Sequence, residues 1–135
     1  MKTQLKNIFA ILIMALAFTS CSKDDASDVT TNGWKVTKFL HKGEDKTSDF
    51  QSYVFDFQSS GVLTAVKGST TVTGLWKEVQ DSGRNKLVIS FGGTGSFEEI
   101  SEDWTIGTKT DVSIKLTNVS GNAANVGTDV LEFAK

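Results

Sequence analysis

Proline is absent from this chain of 135 residues, and cysteine, histidine and arginine occur once each, as Cys21, His41 and Arg84. A lone cysteine excludes an internal disulfide, so the fold has to be held by its core. One histidine, with no cysteine downstream of Cys21, leaves too few ligands for a structural zinc site. A serine triad around His41 would need a strained nucleophile elbow such as G-x-S-x-G, and none is present. His41 is therefore expected at the surface or a rim. Long apolar runs are missing too. The longest, Ile8 to Phe18, would make a helix of about 16 Å, well short of a hydrocarbon core of about 30 Å.

That short run has a meaning of its own. Lys2 and Lys6 precede it without an acid, and small residues, Thr19 and Ser20, lead to Cys21. A basic start, a short apolar stretch and small residues before a cut form a secretory signal pattern over residues 1–20. Thr19-Ser20-Cys21 resembles a bacterial lipoprotein lipobox, with Phe18 where an aliphatic residue is usual. The resemblance implies lipidation of the Cys21 thiol, cleavage before it and acylation of the new N-terminus. Several acyl chains, at about 0.8 kcal/mol per buried CH₂, anchor far more firmly than one. Ser22-Lys23-Asp24-Asp25 is similar to the Lys-plus-acidic export signal of surface lipoproteins in Bacteroidota. It implies an outer-membrane protein displayed at the cell surface, the periplasmic leaflet being the alternative.

Residues 1–20 hold two lysines and no acid, so the remainder carries 12 basic and 16 acidic residues. A mildly acidic body gives no electrostatic reason to expect nucleic acid, and no polybasic membrane patch is present. Residues 21–32 are polar with scattered small side chains and are read as the lipidated cysteine and a flexible tether. Residues 33–135 are long enough for one domain with one core.

Within that domain the pattern is alternation, not helical spacing. Trp34 and Val36 open a first strand, with a bulge near Lys38 where the apolar phase moves to Phe39. Tyr53, Phe55 and Phe57 alternate, Ser59-Ser60-Gly61 turns, and the chain returns through Val62, Thr64 and Val66. Val72, Gly74 and Trp76 follow, then the Asp81–Asn85 turn and Leu87, Ile89 and Phe91. Ser96 with Glu99 three residues on is a capping-box signature for one helical turn from Phe97 to Glu102. Trp104 and Ile106 lead into Val112, Ile114 and Leu116, and a last strand covers about Asp129 to Ala134. Roughly eight short, hairpin-linked strands predict an all-β fold, an antiparallel up-and-down barrel, with an open β-sandwich as the alternative.

Asn32-Gly33-Trp34-Lys35-Val36, Phe55-Asp56-Phe57 before Ser60-Gly61-Val62-Leu63-Thr64, Gly74-Leu75-Trp76 and Asp103-Trp104-Thr105-Ile106 carry a family likeness. Together they resemble the lipocalin-like lipoproteins of Bacteroidota, small β-barrels most of which are uncharacterised. The likeness extends over essentially the whole domain and implies the barrel architecture.

Candidate chemistry is sparse. Glu98, Glu99, Glu102 and Asp103 form an acidic cluster, but it lacks calcium-loop spacing, and a solvated turn accounts for it. Asp56 and Glu78 alternate with apolar neighbours and are expected to face solvent, not each other across a cleft. No metal, cofactor or catalytic residue is expected, and the chain is not read as an enzyme. The suggestive set is aromatic: Trp34, Tyr53, Phe55, Phe57, Trp76, Phe91 and Trp104. An aromatic-lined pocket with a few polar groups would bind a small apolar or amphipathic ligand. Eight strands enclose room for side chains or for one small ligand, so simple core packing is the competing reading and the favoured one. Function is accordingly expected to be non-catalytic binding of such a ligand or of an envelope protein. A structural accessory module with a filled core is the alternative.

Overall fold

Alternating apolar residues form strands because successive side chains point to opposite faces, so one face of each strand can be buried. A computed structural model describes residues 32–93, 95–120 and 127–135 of the chain. Its strands are β1 (Lys35–His41), β2 (Glu44–Asp45), β3 (Val54–Phe57), β4 (Val62–Lys67), β5 (Thr70–Asp81), β6 (Arg84–Phe91), β7 (Asp103–Lys109), β8 (Ser113–Ser120) and β9 (Gly127–Ala134). A 3-10 turn at Thr47–Asp49 and a short helix α1 (Ser96–Glu99) complete it. Residues 1–31, which include the apolar run, Cys21 and Ser22–Asp25, lie outside the described residues. Among the described residues no helix is long and apolar enough to cross a membrane.

All strands join one antiparallel sheet in the order β2-β1-β9-β8-β7-β6-β5-β4-β3. Each strand from β3 to β8 pairs with its successor, and β9 returns to β1. The two ends of this meander then meet at one bridge, Trp34 with Phe55. Trp34 N–H donates to Phe55 O at 3.1 Å, and Phe55 N–H donates back at 2.7 Å. The fold is therefore the predicted all-β meander in barrel-like form, although the ladders do not run all the way round. The ninth strand is the two-residue β2, folded back on β1.

The inner face is apolar except for the buried pair His41 and Asp129. Val36 and Phe39 both point inward because the register shifts between Val36 and Lys38, the bulge that the apolar phase predicted. One expected phase is reversed. On β4 the buried residues are Leu63 and Ala65, while Val66 is exposed and Val62 half-buried. β4 has apolar residues on both faces, and its pairing with β3 decides: Leu63 lies opposite Phe57 and Ala65 opposite Phe55. Val112 is likewise not in β8 but in the turn before it, and is exposed.

Gly74 is required where it stands. A Cβ there would lie 2.5 Å from Ser90 O and 2.6 Å from the Phe91 ring. The β5–β6 turn is a two-residue hairpin with positive φ at Ser82 (53°) and Gly83 (75°), the backbone twist that suits a tight hairpin.

Candidate functional site

The aromatic residues singled out from the sequence fall on the inner face. Trp34, Phe55, Phe57, Phe91 and Trp104 are buried, while Tyr53 and Trp76 are partly buried and packed against the core. Phe133, Phe39, Phe50 and Phe97 join them, and the rings touch one another. Phe133 stands edge-on to both Phe55 (5.3 Å between centroids) and Phe57 (5.6 Å). Phe97 meets Phe91 at 4.8 Å and Phe50 at 5.2 Å, and Phe39 links Phe50 to Trp104. Edge-to-face pairs of this kind contribute about 0.5–1.5 kcal/mol each beyond their burial. Tyr53, Phe55, Phe57, Trp76, Phe91 and Trp104 of the predicted ligand set are thus joined in one ring network on the inner face. Trp104 Nε1–H donates to Ile100 O at 2.9 Å, and Trp76 Nε1–H to Gln58 O at 2.9 Å, so neither indole is left without an acceptor.

Both ends of the network are covered by charged or polar contacts. At the end carrying the β1–β2 hairpin, Phe50 and Phe97 seal the rings from above. The Lys46 ammonium bonds the Glu99 carboxylate, which holds the lysine's protonation above its usual range, and Ser96 Oγ donates to Asp49 Oδ2 at 3.1 Å. The expected capping box is therefore not formed. Gly95 is the N-cap of α1, without a side-chain bond, because Ser96 and Glu99 are both engaged by the segment 46–49. Asp45 stabilises that segment: its carboxylate accepts from the Thr47 hydroxyl at 2.6 Å and the Thr47 N–H at 3.0 Å, and these bonds lower its pKa. At the opposite end, Lys109 Nζ reaches across β6 to Glu78, 2.7 and 2.8 Å from its two oxygens. Lys135, just beyond β9, lies 4.6 Å over the Trp34 ring in a cation–π contact.

His41 is corrected from a rim residue to a buried one. Its side chain lies inside with Phe39, stacked at 5.9 Å, and its Nδ1 is 3.0 Å from Asp129 Oδ2. The other Asp129 oxygen accepts the Lys42 N–H at 2.8 Å. The signal was available: His41 shares the phase of Phe39, and Asp129 shares that of Leu131 and Phe133. Asp129, Lys46 and Lys109 were not singled out from the sequence, since each acts through a partner far along the chain. Asp56 is half-buried and Glu78 exposed, and they sit on different strands with no contact between them. Among the described residues, no three His, Cys, Asp or Glu side chains gather as a metal site.

Recesses lie on the outside. One of about 350 Å³ is lined by Gly61, Leu75, Trp76, Lys77, Val88 and Ser90, and Leu75 on its wall is 61% exposed. A second, of about 320 Å³, adjoins it at Ser59, Ser60 and Glu78. Both follow from β5 outrunning β4: the β4 ladder stops at Val62 opposite Leu75, whereas β5 continues beside β6 to Asp81.

No family model matches the chain, and no curated protein matches it. Among solved structures, the chain is similar to a DUF4847 family protein from Bacteroides vulgatus. The two share 15% identity over 78% of this chain and 93% of that one, with a TM-score of 0.49.

Proposed function

We propose that the protein is a lipid-anchored module of the outer membrane, lipocalin-like in lineage, that works by non-catalytic binding through its outer surface. The anchor is the Cys21 thiol, and Ser22-Lys23-Asp24-Asp25 directs the domain to the cell surface. What carries the reading is the ring network: Phe55, Phe57, Phe91, Phe97 and Phe133 occupy the inner face with one another. Interior volume taken up by rings serves stability, which leaves the exterior for recognition. The partner is then an envelope protein, and the module an accessory to it.

A second reading has one observation in its favour. The recess beside Trp76, Leu75 and Val88 is apolar and open, and would accept an amphipathic chain. Fatty acids titrated against tryptophan fluorescence separate the two. Saturable quenching that disappears in Trp76→Phe supports the small ligand. No response across a broad panel, with a co-purifying envelope protein from native membranes, supports the interaction module. The anchor is tested independently: Cys21→Ser is expected to leave the membrane fraction or to remain a precursor, and normal maturation with membrane partition would refute it.

A further inference from the structure

The β5–β6 hairpin continues past its neighbours as an arm. β5 pairs with β4 only over Thr70–Leu75, and from Lys77 to Asp81 it pairs with β6 alone. Trp76 N–H points to the β4 side, where it donates to Gly61 O at 2.9 Å. Backbone groups alternate sides along a strand, so the N–H and C=O of Glu78 and Gln80 also point to that side, where no strand among the described residues covers them. An uncovered edge of this kind is a template for another strand.

We infer that the uncovered β5 edge pairs with the same edge of a second copy, antiparallel about a two-fold axis at Val79. This inference is separate from the anchoring proposed above. In that register Glu78 of each copy faces Gln80 of the other, and each such pair exchanges two backbone hydrogen bonds. Lys77 falls opposite Asp81 of the second copy, twice by symmetry. The Lys77 ammonium makes no ion pair or hydrogen bond among the described residues. Asp81 keeps a half-exposed carboxylate beside Lys86 (2.9 Å). Charges on an edge ordinarily deter strand addition; here the sequence Lys77-Glu78-Val79-Gln80-Asp81 matches itself when reversed, opposite signs meeting across the axis. Gly61 already occupies the edge at Trp76, so the pairing stops at Lys77 opposite Asp81, and the Ser82-Gly83 tip of each arm lies against the recess at Ser59, Ser60 and Gly61. One edge buries less than the roughly 800 Å² per partner of a standard interface, so the dimer is weak in dilute solution. A shared membrane would raise its occupancy.

Oxidative cross-linking captures such a contact. The axis sets Val79 against Val79 as a non-hydrogen-bonded pair, whose Cα atoms lie about 4.5 Å apart, within disulfide reach. Full-length Val79→Cys is purified and oxidised beside wild type, whose Cys21 reports background, and Thr73→Cys, an outward position whose edge on this side is covered by β4. Only Val79→Cys is expected to give a disulfide dimer on a non-reducing gel. Adding Gln80→Pro removes an edge N–H that no internal ladder uses and should reduce the dimer to background. Should circular dichroism show that the proline unfolds the arm, Lys77→Glu takes its place and weakens pairing by about three- to tenfold through like charges at two positions. A dimer no stronger than with Thr73→Cys overturns the inference. So does one that survives the edge variants, or a Val79→Cys adduct formed with a different protein instead.

Discussion

His41 Nδ1 lies 3.0 Å from Asp129 Oδ2, a buried contact between residues 88 positions apart. It ties the end of β1 to β9, and the second Asp129 oxygen holds the Lys42 N–H at the β1–β2 turn. Asp129→Ala strips an acceptor from the buried His41 ring and from the part-buried Lys42 N–H, and a buried group left unsatisfied costs about 1–3 kcal/mol. A loss of about 2–4 kcal/mol in urea melts is expected, with Asp129→Asn milder because an amide oxygen can still accept from Lys42. Equal stability of wild type and Asp129→Ala would show the pair to be dispensable.

The two indoles that donate to the backbone should differ in cost. Trp104 is fully buried, and Trp104→Ala is expected to cost about 3–5 kcal/mol, the range for deleting a large core aromatic. Trp76 is only partly buried at the rim, edge-on to Phe57 at 5.6 Å, so Trp76→Ala should cost about 2–3 kcal/mol. The reverse order in denaturant melts would place the mechanical centre of the fold at the rim.

Gly74→Ala adds one methyl and should still destabilise, by about 1–3 kcal/mol, because its Cβ meets backbone as well as a ring. Phe91→Leu in the same background relieves only the ring contact. Partial rescue in thermal melts is therefore the expected result, and full rescue would mean that the Ser90 carbonyl yields freely.

Asp45 supplies a pH test. The Thr47 hydroxyl and N–H stabilise its ionised form and lower its folded pKa. The associated stability is present above the carboxyl's unfolded range and disappears as pH falls through the folded value. Thr47→Ala removes the hydroxyl and should move the Asp45 midpoint upward, read by carboxyl-carbon NMR. An unmoved midpoint would assign the shift to the backbone bond alone.

Surface display is checked by replacing Lys23, Asp24 and Asp25 with alanine. The lipid should stay while the domain becomes inaccessible to protease added to intact cells. Equal shaving of wild type and variant would remove these residues from the export argument.

Strand phase was legible wherever only one face of a strand is apolar, as at Ile114 and Leu116, which alternate with Lys115 and Thr117. There burial has one solution, and the chain carries it locally. Turns were legible for the same reason, since Ser82-Gly83 and Ser60-Gly61 supply the backbone freedom that a hairpin needs. β4 was not legible, because Val62, Leu63, Ala65 and Val66 offer an apolar face either way and only Phe55 and Phe57 across the ladder choose between them.

By itself, then, the sequence determined an all-β meander, its hairpins, its bulge near Lys38 and an aromatic interior, all properties of neighbouring residues and their period. Tertiary structure decided what depends on partners far along the chain. Trp34 meets Phe55 and brings the sheet's two ends together. Asp129 draws His41 inside. Lys46 takes Glu99, which a local reading assigned to a capping box. β5 alone outruns its neighbour and leaves an edge. Strand lengths and long-range pairs are set by how the whole ring packs, and a local pattern carries no record of that.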